Sequence, residues 1–418
     1  MGVINNKVKI CREYLPYPLV KSGKICYNII RYILRDERSV NSMLLKNAYV
    51  YRNQTKSFEK ADIGIENGII TAVGELDGDG VTIDLEGRAV VSGLIDVHTH
   101  GRAGYDFVNI PADKLGAVAA DYARHGVTAV MPTVASAPLT QMIAAADGIN
   151  KYKQGMGEAW LCGVHLEGRY LNIKRKGAHA EQLIADLNAN ELENAVFRAC
   201  ENLHISAALE RDADGSFASK ALELGATLSL GHTDATFDQA KRAEKLGATA
   251  YTHLFNAMPP LHHRDGGAIC AALTGDCFAE LICDGIHIAP QMIKLAYTML
   301  GCERTVLISD SMEATGCPDG EYSIAGNPAV VKNGIALTPE GALAGSTLTL
   351  DKAVNNLLDF CGIPLTEAIL CATENPAKEV GIFDVCGSVD VGKRADLLVL
   401  GSTERLLIEK TMVNGEFI

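Results

Sequence analysis

Two histidines one residue apart close an apolar run in this chain, Ser92-Gly93-Leu94-Ile95-Asp96-Val97-His98-Thr99-His100-Gly101. The run from Ala89 through Val97 reads as a buried strand, and alternate strand residues share one face about 6.6–6.8 Å apart. His98 and His100 therefore project together, and two imidazoles so spaced reach one metal with bonds of about 2.0–2.1 Å. Taken alone, the pair is also what two surface histidines at a strand end look like. Further candidates stand at Glu167, Glu210, His232, His253, Asp284, His287 and Asp310, each after an apolar run. Imidazoles and carboxylates gathered at one place suit Zn²⁺, Fe²⁺, Mn²⁺ or Co²⁺. Such a metal lowers the pKa of bound water from 15.7 to about 7 and polarises a carbonyl. A proton carrier must stand nearby. Asp310, just past Val306-Leu307-Ile308, is placed to take a proton from water and return it to a leaving nitrogen. The chemistry is metal-assisted hydrolysis of an amide or related C–N bond.

Positioning such a set takes an alternation of strands and helices. Strands are predicted at Val90–Val97, Val127–Pro132, Ala159–Leu166, His204–Leu209, Ala226–Leu230, Ala248–Thr252, Phe278–Cys283 and Thr305–Ile308. Helical patterns lie between them. Leu115, Val118, Ala119 and Tyr122 repeat at i, i+3, i+4, i+7 before Gly126, and a capping-box pair, Thr236 and Gln239, opens a helix closing at Gly247. Eight alternations fit the (β/α)8 TIM-like barrel, whose usual size is about 250 residues. A doubly wound sheet would carry a phosphate-binding glycine fingerprint after its first strand, where this chain has His-Thr-His. Barrel chemistry sits at the C-terminal ends of strands, which is where the candidates fall.

The ends of the chain read differently. Strands at Met43–Val50, Ala61–Glu66, Ile69–Val73 and Val81–Leu85, with an Asn67-Gly68 hairpin and a Gly78-Asp79-Gly80 turn, need partners to be stable. Those partners are Ala395–Leu400, Leu406–Glu409 and Lys410–Val413, with a second hairpin signal at Asn414-Gly415. The predicted organisation is a small β-sandwich domain from residues 43–91 and 380–418 around a barrel of 92–379. Residues 1–42 carry eight Lys/Arg against three acids and lack the apolar core of a secretory signal. They are expected to be a disordered extension, with room for a short helix over Tyr27–Leu34.

Composition narrows the partners. The 418 residues are 48% hydrophobic with a formal net charge of −13, which argues against binding nucleic acid or an anionic membrane. No run of 18 apolar residues occurs, so no transmembrane helix is expected. The 12 cysteines are scattered without a C-x-x-C pair, a pattern suited to a reducing, cytoplasmic setting; Cys270, Cys277 and Cys283 read as core.

The longer motifs resemble the amidohydrolase superfamily and, within it, the N-acetylglucosamine-6-phosphate deacetylases. They are Gly93–Gly101, His165-Leu166-Glu167-Gly168, Gly231-His232-Thr233-Asp234-Ala235-Thr236, Thr252-His253-Leu254-Phe255-Asn256-Ala257-Met258 and His263-Arg264-Asp265-Gly266-Gly267. Asp284-Gly285-Ile286-His287, Ser309-Asp310, Leu343–Ser346, Glu374–Ala377 and Gly392–Leu397 continue the likeness, which runs from about Met43 to the C-terminus. The resemblance implies one or two divalent metals per subunit. Glu167, His232 and His253 match core ligands, while His98 and His100 match relatives that hold a second metal with Glu167 bridging. Asp310 matches the general acid/base. Asn256, Ala257, His287 and His179 match contacts to the sugar phosphate, and Arg264 a phosphate-binding arginine that reaches the neighbouring site of a homodimer. The implied reaction is hydrolysis of N-acetylglucosamine 6-phosphate, with N-acetylgalactosamine 6-phosphate or another N-acyl sugar phosphate as the close alternative. A cyclic-amide hydrolase or nucleobase deaminase would not need the phosphate grip of Arg264 and His287, and a non-enzymatic scaffold would have lost ligands. The lysine that bridges metals in some relatives has no counterpart after strand four. Arg169 stands where the family usually has a proline that stiffens the loop after Glu167, and the Gly177-Ala178-His179-Ala180 loop also departs, which bears on sugar selectivity.

Overall fold

A computed structural model describes residues 42–77, 80–324 and 326–418. The extension and helix expected before Ser42, and the 78–79 part of the expected turn, lie outside the described residues. The middle of the chain forms a nearly closed parallel barrel. Its strands, numbered one to eight, are Leu94–Thr99, Val127–Ala135, Val164–Glu167, Leu203–Ala207, Thr227–Leu230, Ala248–Tyr251, Phe278–Ile282 and Thr305–Ile308. Each pairs in parallel with the next. Nearly every strand residue is buried, because helices cover the outside and side chains fill the inside. The expected third strand is split: Trp160–Leu161 pairs with strand two at Ala129 and Val130, and only Val164–Glu167 enters the barrel. Gly93 permits the entry to strand one, since a Cβ there would collide with the Thr128 side chain.

The predicted helices form where their patterns place them. Leu115–Arg124 buries Leu115, Val118, Ala119 and Tyr122, and Thr236 and Gln239 make a reciprocal capping box at 3.3 and 2.9 Å. Strands one and eight are joined at their mouth ends. Asp310 N–H donates to the His98 carbonyl (2.9 Å) and His100 N–H to that of Ser311 (2.8 Å). Deeper in the same seam, the buried Asp96 carboxylate accepts from the Ser309 hydroxyl (2.5 Å) and backbone N–H (3.3 Å). Burial pushes the Asp96 carboxyl up to about 6 against the pull of those bonds.

Strands from both ends of the chain share a separate sheet. Ser42–Arg52 pairs with Ser57–Glu66, which pairs with Ile69–Gly74; Ala89–Ser92 joins Leu397–Leu400 antiparallel, with Val90 opposite Val399. Both Asn-Gly turns are two-residue hairpins, with φ of 51° and 79° at Asn67 and Gly68 and 51° and 81° at Asn414 and Gly415. The two strands expected at 406–409 and 410–413 are one, Ile408–Val413, paired with Leu397–Leu400 with a register shift between Val399 and Leu400. A three-stranded antiparallel unit absent from the sequence reading, Gly320–Ile324, Asn327–Lys332 and Ile335–Leu337, follows strand eight. Its signal was in the sequence, because Asn333-Gly334 makes the second turn at φ of 52° and 72°. Asn327 donates from Nδ2 to the Ala178 carbonyl (3.3 Å), tying this unit to the loop that carries His179. Among the described residues, no helix is long and apolar enough to cross a membrane.

Candidate metal centre

Glu167, the last residue of strand three, organises the barrel mouth. Its Oε1 lies 3.0 Å from Nε2 of both His232 and His253, which are 3.1 Å from each other. Its Oε2 lies 3.1 Å from His100 Nε2 and 3.5 Å from His98 Nε2. One carboxylate thus faces two pairs of imidazoles, one pair per oxygen. The four histidines follow or end strands one, five and six, and all are buried. His232 and His253 lie just past their strands with φ of 45° and 29°, and Asp310 past strand eight at 47°. These left-handed positions turn side chains inward as the chain leaves the barrel. Asp310 Oδ1 is 3.1 Å from His100 Nε2 and 3.7 Å from His98 Nε2.

The donor set suits a metal. The ligand atoms of His98, His100 and Glu167, and of Glu167, His232 and His253, form two groups whose members lie within 4.8 Å of one another. His98 Nε2 and Glu167 Oε2 are buried and have no hydrogen-bond partner, so they await an electrophile. The electrostatics divide the two imidazole pairs: against burial, Glu167 and Glu280 raise His98 well above its usual value, whereas His232 is lowered. Burial alone would raise the Glu167 carboxyl, but His98, His100, His179 and His232 hold it well below the usual range. Burial opposes charge on His100 too, yet the Asp310 and Glu167 carboxylates beside it carry it up to about 9. His232 is pushed down to about 4 by burial despite Glu167, leaving the neutral ring a metal requires. Its Nδ1 lies 2.7 Å from the Arg175 carbonyl, which leaves Nε2 toward Glu167. Against burial, His100 and His98 bring Asp310 down to about 2.

The remaining predicted residues are placed as follows. His179 Nε2 is 3.7 Å from Glu167 Oε2 and its ring meets that of His232 edge-on at 4.8 Å, so it belongs to the cluster's wall. His287 is held by Asp284, Nδ1 to Oδ2 at 2.7 Å; burial opposes its charge, but Asp284 raises its pKa. Asn256 and Ala257 lie on the turn after His253, where Ala257, at φ 51°, accepts from the Thr233 N–H (3.2 Å). Arg264 is exposed on the 262–265 turn, with Nη1 2.7 Å from His263 Nε2. Glu210 lies beyond the end of strand four, in the turn Leu209–Arg211, and is no ligand of this cluster. It accepts from Asn172 Nδ2 (2.9 Å), the Thr233 hydroxyl (2.7 Å) and the Asp234 N–H (2.9 Å), and so pins the turn after His232. Arg169 takes φ 51°, which proline cannot adopt. Its guanidinium forks onto Glu191 at 2.9 and 3.0 Å, with the Tyr170 hydroxyl on the same carboxylate, so the loop is stiffened by a clamp where a ring was expected.

The sequence reading missed a polar floor under the cluster. His165 is hydrogen-bonded to Thr133 (3.0 Å) and Ser206 (2.8 Å), and Ser206, Thr252 and Ser229 continue the chain at 2.7 and 2.6 Å. Glu280 reaches His98 from strand seven. A lone Glu inside Phe278-Ala279-Glu280-Leu281-Ile282 was the available signal.

The chain as a whole is similar to known proteins. Residues 89–418 match the amidohydrolase family. An N-acetylglucosamine-6-phosphate deacetylase of Vibrio furnissii is 38% identical over 359 residues, spanning 84% of this chain and 89% of that protein. An N-acetylgalactosamine-6-phosphate deacetylase of Escherichia coli is 34% identical over 356 residues, 84% of this chain and 93% of its own. A solved N-acetyl-D-glucosamine-6-phosphate deacetylase from Mycobacterium smegmatis, in complex with N-acetyl-D-glucosamine-6-phosphate, superposes with a TM-score of 0.80 at 28% identity. That match covers 91% of this chain and 99% of the other.

Proposed function

The chain belongs to the amidohydrolase family, and we propose that its barrel mouth hydrolyses N-acetyl-D-glucosamine 6-phosphate to D-glucosamine 6-phosphate and acetate, a step of amino-sugar catabolism. The observation that carries this reading is the Glu167 carboxylate facing two imidazole pairs, with Asp310 beside one of them, in a chain 38% identical to an enzyme of that name. Glu167, His232 and His253 would hold one metal, and His98 and His100, together with Glu167, would hold a second. When bound, a divalent metal supplies a Lewis acid that acidifies water and polarises the acetyl carbonyl.

The chain's own groups do the rest. Asp310, ionised at neutral pH, accepts a proton from the attacking water and delivers it to the sugar nitrogen as the C–N bond breaks. Acetic acid and the amine result, and the acid's remaining proton passes to the amine, so the products are acetate and the ammonium form of the sugar and the proton count closes. His287, its Nδ1 engaged by Asp284, offers Nε2 to the sugar phosphate, and Asn256 and Ala257 offer groups from the turn after His253. His179 covers the sugar above the cluster. Arg264 is exposed within its own chain, and its fork suits phosphate oxygens, so it serves the neighbouring site of a homodimer. The cysteines among the described residues are all unpaired, which supports a reducing compartment and hence the cytoplasm. The likeness to the Escherichia coli enzyme favours one second reading, the same cleavage on the galacto epimer.

Acetate release from N-acetylglucosamine 6-phosphate, its galacto epimer and the unphosphorylated sugar tests both readings. Fastest release from the phosphorylated gluco sugar is expected. Faster release from the galacto epimer would install the second reading, and release from none by the metal-loaded protein would refute both.

A further inference from the structure

Glu280 has no part in the chemistry above, yet it is 0% exposed in the middle of strand seven. A buried carboxylate is costly unless its hydrogen bonds are made, so its partners identify its task. One oxygen, Oε2, lies 2.9 Å from His98 Nδ1 and accepts from the His253 backbone N–H at 3.0 Å. A single atom therefore touches one member of each imidazole pair around Glu167. In the neutral ring, an Nδ1–H donated to this carboxylate leaves Nε2 as the bare nitrogen, the atom that lies 3.5 Å from Glu167 Oε2. The other contact fixes the chain where it leaves strand six at the left-handed His253.

We infer that Glu280 is a positioning residue for the metal centre, locking the His98 ring with Nε2 toward Glu167 and pinning the turn that delivers His253. The inference rests on the proposal that the mouth holds metal. Glu379 and His204 stand beside Glu280, and one ligand atom from each of the three lies within 4.8 Å of the others. His204 is engaged at Nδ1 by Thr227 (2.7 Å). Burial and the neighbouring Glu280 push the Glu379 carboxyl well up. A carboxylate behind a ligating histidine fixes the ring and strengthens it as a base, and losing one typically costs 10–100-fold in metal affinity.

The test uses the full chain as wild type, Glu280→Leu and Glu280→Gln, stripped of metal and titrated with Co²⁺ while the visible ligand-field bands are recorded. Leu removes both hydrogen bonds and relieves a buried charge, so it is expected to fold while binding Co²⁺ on the order of 10–100-fold more weakly with altered bands. Gln can accept both bonds with its amide oxygen and is expected to restore the wild-type spectrum and most of the affinity. Wild-type affinity and bands in Glu280→Leu would overturn the inference, as would a Gln variant no better than Leu. The ¹⁵N resonances of His98 in the metal-loaded wild type give a reading that needs no variant. The proton is expected on Nδ1, and a proton on Nε2 would overturn the assignment. A wild type that binds no Co²⁺ at all would instead remove the metal proposal itself.

Discussion

The terminal sheet and the barrel mouth bury polar groups on opposite terms. In the sheet, Asp62 accepts from the backbone N–H groups of Asn47 (2.9 Å) and Leu76 (3.2 Å) and pairs with Lys46 at 3.4 Å. Asp396 accepts from Arg394 Nε and the Asn414 N–H, both at 2.6 Å. Among the described residues of that sheet, no buried side-chain nitrogen or oxygen lacks a partner. At the mouth, His98 Nε2, His100 Nδ1, Glu167 Oε2, His179 Nδ1 and His253 Nδ1 all do. Each such atom costs about 1–3 kcal/mol if nothing completes it. The sheet is finished by its own chain, whereas the mouth is shaped to be finished by something it binds. Damage to the sheet should therefore appear as lost stability with activity intact, and damage to the mouth as lost activity with stability intact.

The largest effect is expected at Glu167. Replacing it by Gln removes the carboxylate that faces both imidazole pairs. Metal content measured by mass spectrometry should fall for the whole site, and acetate release should drop on the order of 10³-fold or more, the equivalent of several kcal/mol of lost transition-state stabilisation. The unfolding midpoint of the metal-stripped protein should move little, because relief of the buried carboxylate offsets the imidazoles' loss of their partner. A large fall in that midpoint would erase the contrast between the two regions.

Asp62→Ala should do the reverse. Two backbone donors lose their acceptor, so chemical denaturation should report a loss of about 1–3 kcal/mol with kcat unchanged. Burial opposes the Asp62 charge, but Asn47, Leu76 and Lys46 outweigh it and lower its pKa from the ordinary 3.8. A depressed carboxyl gives stability that is present above 3.8 and disappears as pH falls through the folded value. The charge-linked part of the gap between wild type and variant should thus shrink in acid, and a gap that widens there would refute this account of Asp62. Smaller still is Asn67→Ala at the hairpin, where φ is 51°. It should cost roughly 1–2 kcal/mol in the same denaturation experiment, while Asn67→Gly should stay within about 1 kcal/mol of wild type.

Sequence reading reached far here because much of the architecture is locally encoded. Asn67-Gly68 and Asn414-Gly415 state their turns in two residues, and the apolar runs ending in His98, Glu167, His232, His253 and Asp310 state where barrel strands stop. What escaped depends on closure of the barrel. Asp96 meets Ser309 across 213 positions and Glu280 meets His98 across 182, contacts that no local pattern contains. Glu210 shows the converse error. It occupies the right place in the alternation, but a 3-10 turn over Leu209–Arg211 directs it to Thr233 and Asp234 instead of the cluster. Arg169 was read by what it lacks, a proline ring, while the clamp that replaces the ring depends on Glu191, 22 positions away. The three-stranded unit after strand eight carries a local signal at one turn only, Asn333-Gly334, and its strands are short.

The central claim, that this mouth holds metal for amide hydrolysis with Asp310 carrying the proton, meets its most direct test in Asp310→Asn. Metal content and acetate release from N-acetylglucosamine 6-phosphate would be measured on the same preparation. The account predicts metal content equal to wild type with release reduced about 10²–10⁴-fold, the usual share of a positioned acid–base group. Release at the wild-type rate from the metal-loaded variant would contradict it.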